Sequence, residues 1–95
     1  MTAYVVFIHE KTMDPSELEL YGPKARESMV GHSVTRHAAY GRQEVLEGPE
    51  MEGVVILSFP TFEDAKAWYD SPAYVSACEH RFNGAEYRVV IVEGA

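Results

Sequence analysis

Gly53-Val54-Val55-Ile56-Leu57-Ser58-Phe59-Pro60-Thr61-Phe62-Glu63-Asp64-Ala65-Lys66-Ala67-Trp68-Tyr69 decides the fold of this 95-residue chain. Its first seven residues are aliphatic and aromatic and read as a strand, which Pro60 ends by withholding a ladder donor. Thr61 then caps a helix, with Asp64 in the reciprocal capping position and Phe62, Ala65, Trp68 and Tyr69 as its buried face. Ser71-Pro72 repeats the cap-then-proline signal and opens a further helical segment, whose Tyr74, Val75, Cys78 and Phe82 fall on one side. Gly84 closes that segment, and residues 86–93, Glu-Tyr-Arg-Val-Val-Ile-Val-Glu, form a last strand.

Upstream of the central stretch, residues 3–9 (Ala-Tyr-Val-Val-Phe-Ile-His) read as a first strand. Asp14, Pro15 and Glu17 make a capping box, followed by Leu18, Tyr21, Ala25 and Met29 at helical spacing. Gly22-Pro23 predicts a kink or a short break, and Gly31 a stop. Residues 34–47 read as a second strand, bent near Gly41, before a turn at Glu47-Gly48-Pro49-Glu50. The order is βαββαβ. It predicts one ferredoxin-like α+β domain over residues 1–95, a four-stranded antiparallel sheet with its helices on one face.

Alternation decides what happens on the other face. A sheet with one wet side alternates apolar and polar residues, yet Val54 to Leu57 and Val89 to Val92 are apolar throughout. An open face of that composition calls for a covering partner, and the sequence predicts a homodimer joined sheet to sheet.

Composition narrows the function classes. With 15 acidic residues against 8 basic ones, the net charge of −7 repels phosphate backbones and anionic lipid, so neither nucleic acid nor membrane is an expected partner. No apolar run reaches membrane-span length, and the first residues lead into a strand with no signal-peptide pattern; the expected location is cytoplasmic. Cys78 is the sole cysteine, read as a small buried apolar side chain. His9, His32, His37 and His80 lack metal-ligand spacing, so no metal is expected. No glycine-rich phosphate loop follows a strand, and no cofactor is expected either.

Tyr4 to Ile8, Gly41 with Val45-Leu46-Glu47-Gly48, and the set Phe62, Ala65, Trp68, Tyr69, Ser71, Pro72 and Tyr74 together resemble the domain of unknown function 1330 family, within the dimeric α/β barrel group. The resemblance implies the dimeric barrel fold and no particular activity, since the wider group spans cofactor-independent monooxygenases, haem-degrading enzymes, isomerases of small acids and proteins without known catalysis. The haem-degrading pattern uses an asparagine on the first strand; this chain has only Asn83.

Two residues stand out as acid or base candidates. His37 lies mid-strand and can titrate near neutral pH, and Glu44, if it faces inward, can act as a general base. A bulge at Gly41 would shift the register and turn Glu44 to the other face. Tyr21, Tyr40, Trp68 and Tyr74 fall where helices and sheet meet and can line a pocket for a flat organic molecule. Two functions follow: a dimeric protein that binds or transforms a small molecule without a cofactor, and a non-catalytic homodimeric interaction module whose aromatics are core. The first requires a cavity of roughly 300 Å³ or more that holds at least two of those polar groups.

Overall fold

The computed structural model describes residues 1–95. Seven elements follow one another: β1 (Ala3–Thr12), α1 (Pro15–Ser28), β2 (Thr35–Ala39), β3 (Gly53–Phe59), α2 (Phe62–Tyr69), α3 (Pro72–Gly84) and β4 (Ala85–Glu93). The strands form one antiparallel sheet in the order β2-β3-β1-β4. This is the ferredoxin-like fold expected from the element order, with the second helical stretch split at Ser71.

Register sorts the side chains. Ala3, Val5 and Phe7 of β1 stand opposite Phe59, Leu57 and Val55 of β3 and contribute to the core beneath the helices. Tyr4, Val6 and Ile8 alternate with them toward the uncovered face, with Val54 and Ile56 of β3 and Val90 and Val92 of β4, the last two about half exposed. The continuous apolar runs are therefore divided between a helix-covered face and an open one. No helix is long and apolar enough to cross a membrane.

Trp68 centres the core. It is fully buried, stacked on Phe59 at 5.4 Å between ring centroids and 4.1 Å from the Tyr74 ring. Its Nε1–H donates to Ser28 Oγ at 3.1 Å, and that hydroxyl donates to the Ala25 carbonyl at 2.5 Å. Cys78 is buried and free, as expected. The caps at Thr61 and Ser71 form as read, each accepting from the amide three residues on.

Several local expectations are corrected. α1 runs unbroken through Pro23. Asp14 caps α1 through Ser16 N–H, but Glu17 does not close the box; its carboxylate meets His80 Nδ1 at 2.6 Å and ties α1 to α3. On α3 the buried positions are Tyr74, Ala77, Cys78, Arg81 and Gly84, while Val75 and Phe82 are exposed. Arg81 takes the inward place because its guanidinium lies among aromatic faces: Phe82 at 4.9 Å, Tyr87 at 5.0 Å and Phe7 at 5.9 Å. The second strand stops at Ala39, since Tyr40 adopts φ 56°, a left-handed conformation that no strand continues through. The β2 bulge falls at His37 rather than at Gly41.

α3 passes into β4 without a linker. The Gly84 carbonyl accepts from the amides of both Met13 and Asp14, at 2.8 and 2.9 Å, locking this joint to the start of α1. A methyl group on Gly84 would lie 3.0 Å from Glu17 Cβ and 3.1 Å from the Asp14 carbonyl.

Removing the hydroxyl that receives the Trp68 proton leaves a buried N–H without a partner. Ser28→Ala is expected to cost about 1–3 kcal/mol of stability in chemical denaturation. A loss below a few tenths would show that the Trp68 N–H finds another acceptor.

Candidate functional site

α1 packs along α3 and makes few contacts with the strands. Between α1 and the β2–β3 side of the sheet this leaves a cavity of 180 Å³, walled by Phe7, Val55, Leu57 and Ala39 from the sheet, Ala25 and Met29 from α1, and Trp68 from α2. Its polar lining is Tyr21, Tyr40, Tyr87, Arg26 and Arg36.

Of the residues singled out in the sequence, Tyr21, Tyr40 and Trp68 meet in this cavity. Tyr74 stands behind it, fully buried, with its hydroxyl 2.7 Å from that of Tyr21. Burial pushes the Tyr21 phenol up to about 12 and the Tyr74 phenol higher still, so both keep their protons. His37 and Glu44 are not brought to it. His37 follows inward-facing Arg36 and lies on the open face, where Nε2 is 2.7 Å from Ser58 Oγ and the ring 5.8 Å from that of Tyr4. Glu44 is exposed in the connection between β2 and β3. No three His, Cys, Asp or Glu side chains gather as metal ligands.

A different histidine sits beside the cavity. His9 continues the inward phase of Ala3, Val5 and Phe7 and is only 5% exposed. It stands between Gly53 of β3 and Tyr87 of β4, and its ring stacks on that of Tyr87 at 4.4 Å. Gly53 supplies no side chain to this row, and the ring of Tyr40 lies in the space; a methyl group there would fall 2.2 Å from Tyr40 Cδ1. Across that glycine the Tyr40 hydroxyl reaches His9 Nδ1 at 3.0 Å and the Tyr87 hydroxyl at 2.6 Å. On the other side, the β1–β4 register shifts between His9 and Lys11. The shift pairs Thr12 with inward-facing Ala85, so Thr12 shares the face of His9 and its Oγ1 lies 2.9 Å from Nε2. Thr12 also contacts Glu52, through its backbone amide and through its hydroxyl at 2.7 Å.

Counting protons gives this chain a direction. A carboxylate only accepts, so the Thr12 hydroxyl donates to Glu52 Oε1 and must accept from His9 Nε2–H. Neutral His9 then offers a lone pair at Nδ1, to which Tyr40 donates; Tyr40, its proton spent, accepts from Tyr87. Burial outweighs the attraction of Glu52 and holds the His9 imidazole below its ordinary 6.5, which keeps that lone pair free at neutral pH. The hydrogen bonds of Thr12 hold the Glu52 carboxyl below its usual range. Burial and the bond to Tyr40 raise the Tyr87 phenol, which stays protonated as a donor. The result is a relay from an ionised surface carboxylate to two phenol oxygens on a cavity wall.

None of His9, Thr12, Glu52 or Tyr87 stood out in the sequence as a site residue. The signal for His9 was its in-phase place after Ala3, Val5 and Phe7, an imidazole where an aliphatic side chain is due. Thr12 and Tyr40 depend on a bulge and a left-handed turn, which no local pattern announces.

A family model described as a domain of unknown function (DUF1330) matches residues 2–95. None of the curated proteins matches the sequence. Among solved structures, a protein of unknown function from Rhodopseudomonas palustris superposes with a TM-score of 0.77 at 15% identity, over 99% of this chain and 82% of its own. A dimeric protein of unknown function with a ferredoxin-like fold from Bacteroides fragilis gives 0.62 at 17% identity, over 98% and 96%. SnoaB, a cofactor-independent oxygenase from Streptomyces nogalater, gives 0.62 at 7% identity, over 99% and 93%. At these identities the likeness is one of fold.

Because His9 is held below 6.5 in the fold, the unfolded chain takes up its proton first as the pH drops. The stabilisation from neutral His9 is complete above about pH 6.5 and declines below it. Denaturant unfolding between pH 7.5 and 5.5 should show the native protein losing stability relative to His9→Gln. Parallel profiles would place the imidazole outside this network.

Proposed function

Since the chain belongs to the DUF1330 family, whose description carries no activity, its chemistry rests on the cavity, and we propose that it binds a small organic molecule there and exchanges a proton with it without a cofactor. The observation that carries this reading is the directed chain Tyr87–Tyr40–His9–Thr12–Glu52, with both phenols on the cavity wall. A substrate proton delivered to the Tyr87 oxygen releases the Tyr87 proton to Tyr40 and the Tyr40 proton to His9 Nδ1. The imidazolium so formed still donates from Nε2 to Thr12, which Glu52 orients, and lies 4.0 Å from that carboxylate. The substrate is left as an anion, and reversal of the relay returns the proton to the same atom or a neighbouring one. The left-handed backbone at Tyr40, a bulky residue, fits a conformation maintained for the position of its hydroxyl.

The size of the cavity favours a second reading. At 180 Å³ it falls short of the roughly 300–1,000 Å³ usual for ligand pockets, as expected if the chain is a non-catalytic homodimeric module whose aromatics are core. Proton exchange separates the two. Single-ring aryl ketones and aryl 2-oxo acids in deuterium oxide are expected to lose their α-proton NMR signal in the presence of the protein. Tyr40→Phe and His9→Gln should slow this by about 10²-fold or more, within the range of general acid–base contributions, while Tyr74→Phe leaves it within a few-fold. Exchange no faster than in buffer across the panel would end the proton-transfer reading and leave the module.

Under either reading we propose a homodimer joined through the open sheet face. The support is the half-exposed Val90 and Val92 beside Val6, Ile8, Val54 and Ile56, together with the dimeric description of the Bacteroides fragilis neighbour. Native mass spectrometry at micromolar concentration should show a dimer, and Val90→Lys with Val92→Lys should give a folded monomer. A monomeric native protein would overturn the assembly.

A further inference from the structure

The cavity carries a charge sign opposite to that of the chain. Acidic residues outnumber basic ones 15 to 8, yet the cavity lining contains Arg26 and Arg36 and no aspartate or glutamate. The two arginines come from different layers. Arg26 projects from α1 and lies back over Gly22, where Nη1 is 3.8 Å from the position of a methyl group on that glycine. Arg36 stands on the helix-covered side of edge strand β2, opposite Leu57, in a row otherwise given to apolar side chains. Neither is among the ion-paired residues of the protein, which are His9 with Glu52, Lys66 with Asp70, and His80 with Glu17. Both are exposed at the rim of the cavity, so an anion entering there meets two guanidinium groups and no carboxylate of the lining.

The phenols at the other wall add a second condition. The protons of Tyr40 and Tyr87 are both committed to the relay, so the Tyr87 oxygen can only accept from a ligand. Volume adds a third, because a dry cavity of about 150 Å³ takes a benzene molecule, and 180 Å³ takes one six-membered ring with a substituent reaching the arginines.

From these three conditions we infer that the ligand class is a small single-ring organic acid, its carboxylate held by Arg26 and Arg36 and a hydroxyl or N–H at the far end donating to Tyr87. This rests on the reading that the cavity holds a small molecule and specifies which kind. Guanidinium pairs suit carboxylates because their planar donors match the two oxygens. An inward charge on an edge strand also discourages strand-to-strand aggregation, but that role requires nothing of Arg26 across the cavity.

Trp68, the only tryptophan, lines the cavity and reports occupancy by its fluorescence. 4-Hydroxybenzoate titrated into the intact protein is expected to quench it saturably, and 4-hydroxybenzamide, of the same shape without the charge, to bind at least 10-fold more weakly. Arg26→Gln with Arg36→Gln should weaken the acid 10-fold or more and leave the amide unchanged, with thermal denaturation showing that the variant folds. Benzoate, lacking the hydroxyl donor, should bind more weakly than 4-hydroxybenzoate. Acid and amide binding alike, or an unaffected double variant, would overturn the anion assignment while leaving the cavity as a binding site. No quenching by any of the three would overturn the assignment and, together with a failed proton exchange, the cavity reading as well.

Discussion

An imidazole facing the inside of a sheet must have both nitrogens satisfied, and much of this molecule's local geometry follows from meeting that demand at His9. Nδ1 needs a donor from the β2–β3 side, so Tyr40 swings back through a left-handed backbone conformation and lays its ring where Gly53 leaves room. Nε2 needs an acceptor from the strand end, so β1 takes a register shift that brings Thr12 to the same face. Each device is costly or uncommon alone: a bulky residue at positive φ, a glycine within a strand, a bulge in the central strand. They occur together because one buried ring requires all three. An aliphatic side chain at position 9 would require none.

The same ring joins the two kinds of environment beneath the helices. Toward Phe59 and Trp68 the interior is close-packed and apolar, with the indole proton passed to Ser28 and on to a backbone carbonyl. Toward Tyr87 it is a web of phenols, imidazole and guanidinium. Tyr87 lies between His9 on one face and Arg81 on the other, so a positive charge arriving on His9 would meet the negative face of an aromatic ring. The buried Arg81 has no carboxylate; it donates to the Tyr69 hydroxyl at 3.2 Å, and its Nε has no partner. Aromatic faces stand in for a counter-ion there.

The fold was legible where hydrophobic pattern and punctuation agreed. β1, β3 and β4 announced themselves by composition, and α2 and α3 by Thr61 and Ser71 caps that form as read. Helical spacing misled at Phe82, which was read into the buried side and lies outside while Arg81 is inside, because a guanidinium stacked on rings can occupy a position otherwise given to aliphatic side chains. Glu17 matched a capping pattern, but its carboxylate found His80, sixty-three residues away along the chain. In the candidate site, Tyr21 and Trp68 were readable from the helices that carry them, whereas Tyr40 was expected inside a strand that ends one residue before it. The face of His37 was not readable, since the exposed strand that carries it has no apolar alternation from which a face can be read.

The joint between α3 and β4 constrains how the chain length can vary. Helix passes to strand at Gly84–Ala85 with no residue between, and the Gly84 carbonyl is held by two amides from the start of α1. One residue added there would turn Tyr87, Val89 and Ile91 outward and bring Glu86, Arg88 and Val90 beneath the helices, reversing both faces of the strand at once. This joint has no slack. Between Tyr40 and Glu52, both held by the His9 network, residues 41–51 are mostly exposed and can absorb insertions that the helix–strand joint cannot.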